Sequence, residues 1–233
     1  MTGSTWSGWD DPAVRDGMRR MLEHRSEYLD RGERTIGWKL GFGAPVWLEK
    51  LGLTGPLVGF LPESRQHHPG ATVSCQGWVK AVAEPEIAVY LGHDVDDPAR
   101  AAEAISGLGS AIELADINAP PEDIGDVLAG NIFHQAVILG EPDPGRAGGD
   151  IGGLRARVTR DGSEVADTTD LEALTGGIVM ILSHAAALLD AAGETLRAGE
   201  VVIMGSVIPP VPVQPGNEIS FELAPLAPIS VRV

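Results

Sequence analysis

The stretch AEPEIAVYLG, residues 83–92, decides how the rest of the chain is read. Ile87, Val89 and Leu91 alternate with Glu86, Ala88 and Tyr90, a period of two that predicts a β-strand. Side chains on a strand point alternately to opposite faces, so Glu84 and Glu86 share one face. Two carboxylates at that spacing repel unless water screens them or a cation holds them together. A solvated strand face is one reading, a metal site the other. AIELADI, residues 111–117, alternates in the same way. With Ile112 and Leu114 toward the core, Glu113 points the other way. If the three carboxylates converge from two strands, they form an anionic, oxygen-only site. Such chemistry suits Mg²⁺ or Mn²⁺ better than zinc.

Outward from these strands the chain is rich in strand patterns. Residues 11–30 predict a helix: Asp10 and Asp11 can cap it, Pro12 suits its first turn, and Val14, Met18, Met21, Leu22 and Leu29 recur at helical spacing. TIGWKLGF follows as a strand, GAPVWLEKLG as one or two helical turns, and 62–70 as a loop of Pro, Gly and His. Residues 71–92 read as strands, 98–108 as a short helix, and 136–142 and 154–168 as strands, the latter folded at Asp161-Gly162. The longest helix candidate is 171–193, and VVIMGSV, EISFELA and ISVRV close the chain as strands. The sum is a strand-rich α+β chain without βαβ alternation or repeats. It divides into an N-terminal helical segment, 1–34, and one domain, 35–233.

Composition excludes several classes. The 233 residues carry a formal charge of −16, which disfavours nucleic acid and anionic lipid as partners. No nucleotide-binding glycine motif is present. One cysteine, Cys75, excludes an internal disulfide and reads as a packed thiol. No apolar run reaches membrane-spanning length, no secretory leader is evident, and a cytoplasmic location is expected. Only three of the 17 basic residues are lysines, Lys39, Lys50 and Lys80. Each lysine therefore draws scrutiny as a compact ammonium whose pKa can be moved.

The order GWKLGF, AEPEIAVYLG, AIELADIN, LRAGEVVIMGSV and QPGNEIS resembles the fumarylacetoacetate hydrolase superfamily, in the branch of 2-keto-4-pentenoate hydratase and 4-oxalocrotonate decarboxylase. The resemblance runs from about Thr35 to the C-terminus. It implies a mixed β-roll with peripheral helices, and Mg²⁺ or Mn²⁺ bound by Glu84, Glu86 and Glu113. It also implies a small 2-oxo acid or its dienol as substrate. Lys39 matches the family's lysine near the substrate carboxylate. Asp116, Asn131 and Thr168 (or Thr169) take the substrate-binding places. The implied activity is water addition through a metal-stabilised enolate, and decarboxylation uses the same electron sink. A homo-oligomer is implied, with a related decarboxylase or hydratase as associate.

The chain departs from the pattern in places. Leu57 and Val58 stand where hydratases carry an Asp before the Gly, Asn118 where they carry an Arg, and Gly130 where an Asp precedes the Asn. A decarboxylase, or a non-catalytic partner in an enzyme assembly, is accordingly the alternative to a hydratase. His24 reads as a surface residue, His67 and His68 as loop residues, and His134 and His184 as structural histidines. IPPVPVQPG, 208–216, reads as a rigid connection at a pocket mouth.

Overall fold

A computed structural model of the chain describes residues 8–233, so the first seven residues of the expected N-terminal segment lie outside it. Helix α1 (Pro12–Asp30) is capped by Asp11, whose carboxylate accepts from the Ala13 and Val14 N–H groups at 2.8 and 3.3 Å. Its buried Val14, Met18 and Met21 enter one core with Trp38 and Phe60. β1 (Thr35–Gly41), α2 (Pro45–Leu51) and β2 (Leu57–Pro62) follow. β2 is buried at every position, so it lacks the alternation that reveals a half-buried strand. β3 (Gln66–His67) is short, and β4 (Ala81–Leu91) starts later than the strand expected from residue 71.

The helix expected over 98–108 ends early. One 3₁₀ turn, Pro98–Arg100, leads into α3 (Ala101–Ala104), and Ile105 already opens β5 (Ile105–Asp116). Helix α4 (Ile124–Ala129), not anticipated, precedes β6 (His134–Leu139). β7 (Arg155–Arg160) and β8 (Ser163–Thr168) form a hairpin. Its turn residues Asp161 and Gly162 both have positive φ, 53° and 77°, as a two-residue turn of that kind requires. Helix α5 (Ile178–Ala191) begins seven residues after the expected start at Leu171, beyond the left-handed Gly176. β9 (Val201–Ser206), β10 (Val211–Pro212), β11 (Glu218–Ala224) and β12 (Ile229–Arg232) complete the chain.

Two sheets result. The larger has the order β2-β1-β9-β4-β5-β6-β3, with β10 paired to β4; the smaller is β12-β11-β7-β8. β1–β9 and β3–β6 are parallel and the other pairs antiparallel, which makes the fold a mixed, strand-rich α+β roll. Ile112 and Leu114 share a core with Phe221 and Val231 of the small sheet. Glu113 is therefore turned to the opposite face. There Ala88, Ala111, Val137, Val201 and Ile203 form a smaller apolar cluster. No described helix is long and apolar enough to cross a membrane.

Candidate metal and substrate site

The β4–β5 register sets Glu84 directly across from Glu113, with Glu86 two residues along the same face. Like charges directly opposite are destabilising by themselves. One oxygen from each of the three carboxylates lies within 4.8 Å of the others. Glu86 and Glu113 are wholly buried, and Glu84 is half-buried on a cavity wall.

Neighbours fix the oxygens individually. The Gly205 N–H donates to Glu86 Oε2 at 2.6 Å. Lys39 Nζ donates to Glu113 Oε1 at 2.5 Å and to the Ile132 carbonyl at 3.0 Å. His134 Nδ1 lies 2.7 Å from the same Glu113 oxygen. Glu86 Oε1 and Glu113 Oε2 have no hydrogen-bond partner, although both are buried. Unpaired buried oxygens are costly, and such a pair within one acidic cluster suits a divalent cation as partner. The charge agrees: three carboxylates against one ammonium leave two negative charges, what one divalent ion neutralises.

Titration follows from this arrangement. Burial, with the Glu113 charge adding to it, pushes the Glu84 carboxyl up to about 7. Burial and the neighbouring Glu113 and Glu84 raise Glu86 well above the ordinary carboxylate range. Burial opposes the charge on Glu113 too, yet the Lys39 ammonium and the His134 contact together hold that carboxyl below its ordinary value. Burial lowers His134, which favours the neutral ring.

Through Glu84 the trio meets a cavity of about 420 Å³, lined also by Lys39, Gly205 and Ser206 among apolar groups including Phe42, Trp47, Phe133 and Met204. Part of its rim is strained. Asn131, Ile132 and Phe133 have consecutive positive φ values of 56°, 50° and 63°, each costing about 1–2 kcal/mol for a residue with a Cβ. This turn aims the Ile132 carbonyl at Lys39.

The expected substrate-binding residues stand differently. Asn131 spends both amide ends on Phe60: Oδ1 accepts from its N–H at 2.8 Å, and Nδ2 donates to its carbonyl at 2.9 Å. It pins the strained turn to β2. Gly59 makes room for this, since a Cβ there would sit 2.6 Å from Asn131 Oδ1. Asp116 accepts from the Lys80 backbone N–H at 2.8 Å, while Ala115 and Ile117 line the cavity beside it. Thr168 lies in β8 opposite Ala156 and is not part of the lining. The hydroxyls on the wall belong to Thr175 and Ser206. Sequence reading missed both, and took His134 as merely structural although the sheet carries it onto Glu113. His24, expected at the surface, is half-buried and meets the Tyr28 and Phe60 rings edge-on at 5.2 and 5.8 Å. His184 is buried, with Nε2 3.1 Å from the Pro56 carbonyl.

Fold and site together define a class: a strand-rich α+β protein with a carboxylate trio, two members wholly buried and the third, Glu84, on the wall of a mostly apolar cavity. Residues 49–233 match the fumarylacetoacetate (FAA) hydrolase C-terminal family, and the chain belongs to that family. Over 235 residues it is 26% identical to a 4-oxalocrotonate decarboxylase of Pseudomonas sp, covering 96% of this chain and 88% of the relative. Over 209 residues it is 27% identical to a 2-hydroxyhexa-2,4-dienoate hydratase of Comamonas testosteroni, covering 86% and 79%. Its fold is similar to that of 4-oxalocrotonate decarboxylase from Pseudomonas putida G7, solved with magnesium and adipate. That match has a TM-score of 0.84 at 24% identity and covers 94% of this chain and 85% of that one.

Proposed function

We propose that this protein is a divalent-cation-dependent lyase acting on a small 2-oxo acid or its dienol, adding water as a hydratase does. One observation carries the reading: three carboxylates offer oxygens within 4.8 Å of one another, and two of their buried oxygens have no partner. Glu84, Glu86 and Glu113 would hold Mg²⁺ or Mn²⁺, hard cations that favour oxygen ligands. Bound there, the ion supplies Lewis-acid stabilisation to the enolate of a 2-oxo acid.

The chain's own residues prepare that chemistry. Gly205 orients Glu86, and Lys39 with His134 orients Glu113. An ammonium has three donors; Lys39 uses two on Glu113 and Ile132. The third remains for a substrate carboxylate in the cavity that Lys39 lines. Thr175 and Ser206 line the cavity, their hydroxyls donating to the Leu171 and Pro85 carbonyls at 3.3 and 3.4 Å, and Phe42, Trp47 and Phe133 add aromatic wall. Asn131 and Asp116 act at one remove, by fixing backbone.

Decarboxylation is the second reading, favoured by similarity to a 4-oxalocrotonate decarboxylase along nearly the whole chain. Both reactions draw electrons into the same carbonyl, and placement of proton donors and acceptors separates them. The reading includes a homo-oligomer, which sedimentation velocity measures. The central test is Glu113→Ala, followed by Mg²⁺ affinity and by turnover of 2-hydroxydienoates with and without Mg²⁺. Loss of both supports the assignment; unchanged values for both refute it. Turnover by the native protein also rejects a non-catalytic role.

A further inference from the structure

The two oxygens of Glu113 are engaged unequally. Oε1 accepts from Lys39 Nζ at 2.5 Å and lies 2.7 Å from His134 Nδ1. At that distance from a carboxylate the imidazole nitrogen carries a hydrogen and donates it. A carboxylate has roughly four lone-pair positions, two on each oxygen. On Oε1 both are taken. Oε2 is buried and has no partner.

The other two carboxylates are less tied. Glu86 accepts one bond, from the Gly205 N–H onto Oε2. The Glu84 carboxylate accepts none from the described residues. Either can turn a second oxygen toward an ion, whereas Glu113 can offer only Oε2. His134 has no other hydrogen bond through its ring: it is buried at the start of β6, opposite Ala115 of β5, and its Nε2 is unpartnered. It is absent from the cavity wall, so it acts on a bound ion only through Glu113.

How many oxygens a carboxylate gives matters to hard cations. Mg²⁺ demands near-octahedral geometry at about 2.0–2.1 Å and keeps several waters. Ca²⁺ takes about 6–8 oxygens at about 2.3–2.6 Å, and carboxylates that give both oxygens help to fill that number. From this geometry, and resting on the divalent-cation reading of the site, we infer that His134 is a positioning residue that sets cation selectivity. With Lys39 it closes Oε1, restricts Glu113 to one oxygen and disfavours Ca²⁺ relative to Mg²⁺. Lys39 alone leaves one lone-pair position of Oε1 open.

The experiment is calorimetric titration of metal-free protein with Mg²⁺ and, separately, with Ca²⁺. Native protein is compared with His134→Leu, His134→Phe and His134→Asn. Leu and Phe both remove the donor, so a loss of folding in one leaves the other to report. Asn restores a donor, because its amide nitrogen lies as many bonds from the backbone as Nδ1 does. In the donor-free variants Mg²⁺ affinity falls about tenfold while Ca²⁺ affinity holds or rises. The ratio of the two dissociation constants therefore moves about tenfold toward Ca²⁺, and His134→Asn returns most of it. A purely structural role would weaken both ions in equal proportion. That result, or a ratio unchanged for any other reason, overturns the inference. If the native protein binds neither ion, the divalent-cation reading itself fails and this inference falls with it. That outcome is distinct from native binding of both ions with an unchanged ratio in the variants.

Discussion

Lys39 Nζ lies 2.5 Å from Oε1 of Glu113, and both side chains are withdrawn from solvent. The contact joins β1 to β5, strands that are not neighbours in the sheet. It also divides the work of one carboxylate. Oε1 is held by Lys39 and His134, which leaves Oε2 unpaired beside Glu84 and Glu86.

Removing one partner of a buried pair leaves the other charge uncompensated, at about 3–5 kcal/mol. Lys39→Met is therefore expected to lower unfolding free energy by that order in metal-free buffer. Saturating Mg²⁺ should recover part of the loss, because a cation then faces Glu113. Urea unfolding with and without Mg²⁺ measures both effects. A loss below about 1 kcal/mol, the scale of an exposed pair, contradicts the buried-pair account.

Stability should depend on pH through Glu84 and Glu86. Burial raises both, Glu84 to about 7 from 4.5. The folded state then binds protons more tightly than the unfolded state. This contribution is fully present below about pH 4.5 and is lost as pH rises toward 7. Metal-free protein should lose thermal stability across that window, while Mg²⁺ should stabilise it most above pH 7. Calorimetric melting at several pH values checks this, and a Mg²⁺ effect that grows toward low pH would be the wrong sign.

Asn131→Ala removes two hydrogen bonds to Phe60 and leaves a buried N–H and C=O unpaired. At about 1–3 kcal/mol for each unsatisfied group, the variant should unfold at clearly lower urea. Unchanged stability would mean that Asn131 does not hold the left-handed turn.

Thr168 and Thr175 separate two placements of the substrate-side hydroxyl. Thr175→Val changes the cavity wall and should raise KM several-fold. Thr168→Ala, on an edge strand of the small sheet, should leave kcat/KM within about twofold. The opposite pattern, from steady-state kinetics on a 2-hydroxydienoate, would return the role to Thr168.

How far the sequence reached follows from where each signal lived. β4 and β5 were legible because each has one face toward the small sheet's core and another bearing glutamates, so their residues alternate. β2 was not, because Leu57 to Pro62 is buried on both faces. Ala101 to Leu108 looks helical in composition, but from Ile105 pairing with β4 overrides local preference. Glu84, Glu86 and Lys39 announced themselves by spacing and rarity. Thr175, Ser206 and the His134 contact are long-range products of the fold, with no local pattern to mark them. Asn131 was noticed, but its two bonds to Phe60 lie 71 residues away in sequence.

The most direct test of the central claim is a crystal grown with Mn²⁺ and measured at the manganese absorption edge. The account predicts one anomalous peak between Glu84, Glu86 and Glu113, about 2 Å from an oxygen of each, with Lys39 still on the far oxygen of Glu113. Three glutamates free of anomalous density under saturating Mn²⁺, or an ion bound elsewhere in the cavity, would contradict it.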